Sequence, residues 1–235
     1  MQPLLCFDDR PRLLAAIHCR LARRFGPQGP CRLLEPVSQL VMAMVGSRTH
    51  SKISRTAFEA LLKRYGRWEA VRDAAISDIE TVIASVTFPQ RKAPQIKAAL
   101  AAITQAHGRL TLDPLDRMSA DQALAWLERL PGVGRKVAAA TLNFSMLRKP
   151  VLVIDGHQLR ILKRIGLVGQ GANIAKAHDA ITPVLPPDWT AAELDDHYRL
   201  MKALGRAICR DPTATCSRCS LQDLCQTASM TPRMT

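Results

Sequence analysis

The chain has 235 residues, 47% of them hydrophobic, and its 33 Lys and Arg against 20 Asp and Glu give a formal charge of +13 and a pI of about 10.0. That is enough apolar material for a sizeable core in one large or two small domains, which excludes a disordered chain and a small disulfide-stapled scaffold. The longest apolar runs are about six residues, far short of the ~18 a membrane span requires, and the first residues, with Asp8 and Asp9, do not read as a secretory signal. A cytoplasmic protein with reduced thiols is expected.

Aromatics make up only 4% and the one β-branched run of note is 150–154, so the sequence predicts an all-α protein of about ten helices. Residues 10–24, Ser51–Tyr65, 90–107, 133–147 and Gly156–Ile165 carry apolar residues at i, i+3, i+4 spacing and read as amphipathic helices. Three S/T-x-x-E/Q capping boxes mark helix starts, because each supplies oxygens to orphan N–H groups: Ser77 with Glu80, Ser119 with Gln122, and Thr190 with Glu193. Gly and Pro break the pattern at 25–30, 113–114, 149–150 and 183–187, and the tail 227–235, lacking an apolar face, is expected to be loose.

The charge is uneven. Residues 46–67 hold six basic residues against one acidic, and 128–166 hold eight against two. Such a footprint fits a polyanion, nucleic acid first, or else a solvated surface. Within it, LPGVGRK at 130–136 ends one helix at Pro131 and Gly132 and starts another after Gly134. The backbone of Gly132, Val133 and Gly134, with Arg135 beside it, suits a DNA phosphate held without reading bases; such a turn is also a plain helix connector. Asp155 follows Lys136 by nineteen residues and opens a helix. An N-cap is the simple reading of that aspartate, as a phosphate contact is of a lysine in a basic stretch.

Four of the seven cysteines, Cys209, Cys216, Cys219 and Cys225, follow C-x6-C-x2-C-x5-C and suggest a metal centre. The C-x2-C pair alone fits half a zinc site, whereas four thiolates fit a 4Fe-4S cluster. Cys6, Cys19 and Cys31 read as small buried apolar residues.

LPGVGRK at 130–136, VIDGH at 153–157 and the four-cysteine pattern, in this order, resemble endonuclease III of the helix-hairpin-helix DNA glycosylase superfamily, over roughly residues 35–225. The resemblance implies two lobes around a cleft: a helical barrel of residues 35–148 with the hairpin, and a discontinuous iron-sulfur lobe of 1–34 and 149–235. It implies a monomer that binds double-stranded DNA containing damaged bases or abasic sites, and no membrane. By resemblance Lys136 attacks the sugar C1′, Asp155 assists, and the four cysteines hold a 4Fe-4S cluster, with Arg206, Arg210 and Arg218 placing positive charge around its loop. The chemistry agrees: an amine of ordinary pKa ~10.4 must shed its proton to attack, which neighbouring cations, a helix N-terminus and partial desolvation favour. A carboxylate stabilises the oxocarbenium-like sugar as the base departs. The resulting Schiff base eases elimination of the 3′-phosphate, so base removal and nicking go together, and relatives that only remove bases lack this lysine.

Some positions depart from the family. Arg48 in GSRTHS stands where endonuclease III has the glutamine that fills the gap left by the flipped base; a guanidinium can stack there or simply hold a phosphate. Phe88 in SVTFPQRKA stands at the second wedge, normally leucine, as an intercalator or a core residue. Gly156, His50 and Ser51 also differ from the family, and His157 and His197 receive no catalytic role. The implied function is a bifunctional glycosylase and abasic-site lyase acting on oxidised pyrimidines. The alternatives are a same-fold glycosylase with another lesion or mismatch substrate, and a non-catalytic DNA-structure binder, against which Lys136 with Asp155 argues.

Overall fold

A computed structural model describes residues 9–26, 28 and 33–230, so the expectations for Cys6 and Cys31 lie outside the described residues. The chain divides into two units, residues 1–30 with 152–235, and residues 31–151. Helices dominate both, and among the described residues the only β-type pairing is an isolated bridge between Leu34 and Ser145.

The 31–151 unit holds α2 (Pro36–Val45), α3 (Ser51–Tyr65), α4 (Trp68–Asp73), α5 (Ile76–Val82), α6 (Pro89–His107), α7 (Ala120–Glu128) and α8 (Arg135–Phe144). The α2 helix starts where Glu35 accepts both the Val37 and Ser38 N–H groups at 2.9 Å and Pro36 pre-sets the first turn. It packs against α3, α6 and α8 and is buried at eight of its ten positions, including Leu40, Val41 and Val45. Burying such side chains contributes ~1.5–3 kcal/mol each. With no polar face, α2 carries no periodic signal, which explains its absence from the sequence-based set. The Ser119–Gln122 capping box of α7 forms. The Ser77–Glu80 box does not: α5 begins at Ile76 after an extended Ala75, which leaves Ser77 inside the helix, its carbonyl accepting from Thr81 Oγ1 at 2.8 Å. The α8 helix is shorter than the 133–147 expected, because Val133 and Gly134 belong to the preceding turn and the chain becomes extended at Ser145. The Met146 N–H then donates to the Leu34 carbonyl at 2.9 Å.

The other unit holds α1 (Arg10–Phe25), α9 (Gly156–Ile165), α10 (Ile174–Ile181), α11 (Ala191–Ala207) and α12 (Gln226–Met230). Leu14, Ile17 and Leu21 of α1, Ile161, Leu162 and Ile165 of α9, and Leu194, Met201 and Leu204 of α11 make its core. The Thr190–Glu193 box caps α11 as expected. Val151, Leu152, Val153 and Ile154 are buried but build no strand. Two expectations need correction. Cys19 is exposed, since α1 turns Leu14, Ile17 and Leu21 inward and leaves position 19 on the opposite face. Residues 227–230 of the supposedly loose tail lie in α12, which packs on α9.

Candidate functional site

In the 31–151 unit, α7 and α8 are joined through Pro131–Gly134, and the joint is held from both sides. Arg135, first in α8, donates Nε to Glu128 Oε1, last in α7, at 2.7 Å. The Val133 N–H donates to the Leu130 carbonyl at 3.1 Å, with Val133 buried beneath the turn. Gly132 has φ +73, and a Cβ there would lie 2.7 Å from Gln95 Cβ of α6, so the turn needs glycine for conformation and for space. Gly134 is extended and unobstructed, and as N-cap it adds no side-chain oxygen to the first turn of α8. That turn presents N–H groups with no intrahelical acceptor and the positive end of the helix dipole, a site suited to an anion. Lys136 is the second residue of α8 and half-buried.

Arg48, Phe88 and Gly132 line one recess of about 170 Å³, together with Met44, Ser47, Arg91, Lys92 and Gln95. Both expected wedge residues are in the left-handed region, Arg48 at φ 55 and Phe88 at φ 59, where an L side chain costs ~1–2 kcal/mol. Phe88 is no core residue, being 43% exposed, and Arg48 is exposed as well. Lys92 was not singled out from the sequence, where it falls within the amphipathic helix expected over 90–107. Its signal is periodicity, since 92, 96, 99, 100 and 103 form the buried stripe of α6. Burial first, and then repulsion from Lys136, lowers the Lys92 pKa to about 8.

In the other unit Asp155 is the N-cap of α9, accepting the His157 and Gln158 N–H groups on Oδ1 at 2.8 and 3.1 Å. Capping is only part of its setting, for Oδ2 accepts from the Tyr198 hydroxyl at 3.2 Å, and Lys202 Nζ donates to that hydroxyl at 3.1 Å. Burial, then the charge of Asp155, pushes the Tyr198 phenol far up, while burial pulls Lys202 down against the opposing pull of Asp155. Neither residue was marked in the sequence; both lie on α11 one turn apart. His157 is lowered by burial and accepts from Arg160 Nη2 at 3.1 Å through Nδ1, which suits a neutral ring. His197 is fully buried, near His18 and Trp189, and burial lowers its pKa to about 3, so it packs as a neutral ring.

Cys209, Cys216, Cys219 and Cys225 are all unpaired by disulfide and half-buried in one loop region built of short 3-10 turns. Burial raises the Cys219 thiol, and Cys209, Cys225 and Cys216 lie near enough to add to the shift. Sulfur is already met by donors: Arg164 Nη1 reaches Cys209 Sγ at 3.2 Å and the Leu221 N–H reaches Cys219 Sγ at 3.4 Å. Among the described residues no His, Cys, Asp and Glu group is drawn together tightly enough for a single metal ion. Four thiols gathered in one loop region are a donor set of the kind that a 4Fe-4S cluster or a zinc ion takes.

A family model described as HhH-GPD superfamily base excision DNA repair protein matches residues 41–183. Endonuclease III of Synechocystis sp. is 26% identical over 210 residues, 88% of this chain and 90% of that protein. Endonuclease III of Escherichia coli K12 is 28% identical over 158 residues, 67% of each chain. Among solved structures, a trapped endonuclease III–DNA covalent intermediate superposes with a TM-score of 0.77 at 20% identity, covering 93% of this chain and 97% of that one. A thermostable thymine-DNA glycosylase superposes with a TM-score of 0.70 at 16% identity, covering 94% and 97%. At these identities the superpositions establish a shared fold.

Proposed function

Because the chain belongs to the HhH-GPD superfamily of base excision DNA repair proteins, we propose that this endonuclease III-like DNA glycosylase is bifunctional, removing oxidised pyrimidines from duplex DNA and then nicking the abasic strand. The observation that carries the reading is Lys136, half-buried at the start of α8 directly after the glycine turn and within electrostatic reach of a second buried ammonium, Lys92. A primary amine is a nucleophile once it has given up its proton, and it is the group that a Schiff-base route to nicking requires.

The turn at Gly132–Gly134 holds a backbone phosphate through N–H groups, with Arg135 beside it, and fixes the register of the strand. Arg48 and Phe88 enter the duplex where the damaged nucleotide leaves it, each offering a flat face to stack on. The neutral Lys136 amine then forms a bond to C1′ as the C1′–base bond breaks, the electron pair leaving with the base. Asp155, held as an acceptor by its backbone and tyrosine donors, supports the positive charge that develops on the sugar. Ring opening gives the Schiff base, loss of a C2′ proton expels the 3′-phosphate oxygen, and water releases the lysine. Cys209, Cys216, Cys219 and Cys225 would hold a 4Fe-4S cluster, whose iron–thiolate bonds tie the loop together when it is bound.

The test is reductive trapping. Wild-type protein, mixed with a duplex carrying one abasic site and borohydride, is expected to give a covalent adduct that Lys136→Gln abolishes while keeping duplex affinity. An adduct of wild-type yield from Lys136→Gln would overturn the assignment, as would no adduct from folded, DNA-binding wild type. Arg48, cationic where the relatives' wedge is an uncharged glutamine, favours one second reading, a mismatch or other lesion as substrate. A panel of thymine glycol, dihydrouracil, G·T and G·U duplexes separates the two.

A further inference from the structure

The α6 helix carries an ammonium where its stripe of Ile96, Ala99, Leu100 and Ile103 calls for an apolar side chain, and Lys92 is only 7% exposed. Burying an ammonium costs several kcal/mol before any partner is found, so such a residue persists only where it meets oxygens that nothing else satisfies. Lys92 Nζ donates to Val45 O at 2.7 Å, Ser47 O at 2.7 Å and Thr49 Oγ1 at 2.9 Å, so its three protons meet three acceptors. Val45 ends α2, and its carbonyl belongs to the negative pole of that helix. Thr49 extends the contact: its Oγ1 also accepts the Thr87 N–H at 3.1 Å, while Thr87 Oγ1 donates to the Arg48 carbonyl at 3.0 Å. The segments carrying Arg48 and Phe88 are therefore bonded to each other and, through one lysine, to the helix that begins immediately after Phe88. Each holds its exposed residue at a positive φ that it would relax if released.

We propose that Lys92 is a positioning residue for damage recognition, its ammonium locking the 45–49 and 84–88 segments into one rigid probe so that Arg48 and Phe88 enter the duplex together. This rests on the reading above that those two residues enter the duplex. One turn further along α6, Gln95 packs on Gly132, so the same helix face that sets the probe also seats the phosphate-binding turn, and the spacing between the two is fixed by a helix rather than by loops. The charged groups facing Lys92 are Lys136 of α8 and, around the same recess, Arg48 and Arg91, all of like sign; its acceptors are two carbonyls and a hydroxyl. A neutral amine offers two protons to three acceptors, so the lock loosens as pH rises through about 8.

The experiment compares wild type, Lys92→Met, Thr87→Val, Arg48→Ala and Phe88→Ala on duplexes that cannot be cut. It measures affinity for a tetrahydrofuran abasic analogue relative to undamaged DNA, and the fluorescence of 2-aminopurine opposite the analogue. Expected are a tenfold or greater loss of discrimination in Lys92→Met and a several-fold loss in Thr87→Val, with undamaged-duplex affinity within twofold. The wild-type fluorescence response should fall with a midpoint near pH 8 and be flat in Lys92→Met. Thr87 is exposed, so its variant folds even if burying methionine at 92 disrupts the unit, and Thr87→Val with the wild-type pH profile then decides. Wild-type discrimination in folded Lys92→Met, or in Thr87→Val when Arg48→Ala and Phe88→Ala both lose it, would overturn the lock. Full discrimination in Arg48→Ala and Phe88→Ala would remove the probe reading itself, and the lock with it, while leaving Lys136 trapping untouched.

Discussion

Two glycines stand two residues apart in the α7–α8 turn, and the structure separates them. At Gly132 an alanine must adopt φ +73, which costs ~1–2 kcal/mol, and its Cβ falls 2.7 Å from Gln95 Cβ and 2.8 Å from Gln95 Cδ. The Gln95 Cβ cannot swing away, because it is fixed to the α6 backbone; relieving the contact shifts helix or turn, at ~1–3 kcal/mol. Gly132→Ala should therefore lose about 3 kcal/mol, which lowers the melting temperature by roughly 6–12 °C for a chain of this size. Gly134 is extended with nothing within 4 Å of a built Cβ, so Gly134→Ala should melt close to wild type. Any loss it suffers belongs to duplex affinity, because a phosphate approaching this backbone meets the new methyl. Thermal and urea unfolding of the two variants, with fluorescence anisotropy on an undamaged duplex, test the contrast. A Gly132→Ala protein melting within a degree or two of wild type, or equal destabilisation by both alanines, would refute the reasoning.

Tyr198→Phe removes the donor on Asp155 Oδ2 and the acceptor of Lys202, so stability should fall by about 1–3 kcal/mol. Single-turnover base removal should slow in that variant while duplex affinity is retained. His197 should make the protein acid-sensitive. Its folded pKa, about 3, lies below the ordinary 6.5, so the unfolded chain binds the extra proton between those values. This contribution is complete above pH 6.5 and is lost as pH falls toward 3, at up to about 1.4 kcal/mol per pH unit. Urea unfolding at pH 7 and pH 5 measures it, and His197→Leu should flatten the dependence. Cys219→Ser should lower both the iron content and the visible absorbance of the purified protein; retention of wild-type iron would remove this cysteine from the ligand set.

What the sequence made legible follows from which forces are local. The Ser51–Tyr65 and Gly156–Ile165 helices have one polar and one apolar face, and both boundaries match the structure. The α2 helix has no polar face to contrast, and Ser77 has the spacing of a cap without the extended backbone a cap requires, because Ala75 already takes that conformation. At the candidate site, Asp155 was legible as a helix start, but its tyrosine partner lies 43 positions away, and no spacing rule reaches that far. Lys92 was hidden for the opposite reason. Its place in the apolar stripe was available, but periodicity alone does not say what a cation would meet there, and only the carbonyls converging on Nζ reveal why one is tolerated.

The way the units are assembled along the chain also governs how the protein comes off the ribosome. Residues 31–151 are contiguous and can collapse as soon as they emerge, whereas α1 packs on α11, which begins at Ala191. At about 5–20 residues per second, Leu14, Ile17 and Leu21 wait on the order of 10–30 s for their partners. During that interval a greasy amphipathic helix hangs beside a finished unit, a target for holdase chaperones and a seed for aggregation. Slowing translation through 152–190 should lower the soluble yield more than an equal delay through 40–80. In the first case the orphaned helix waits longer beside folded protein; in the second nothing has yet been completed for it to leave behind.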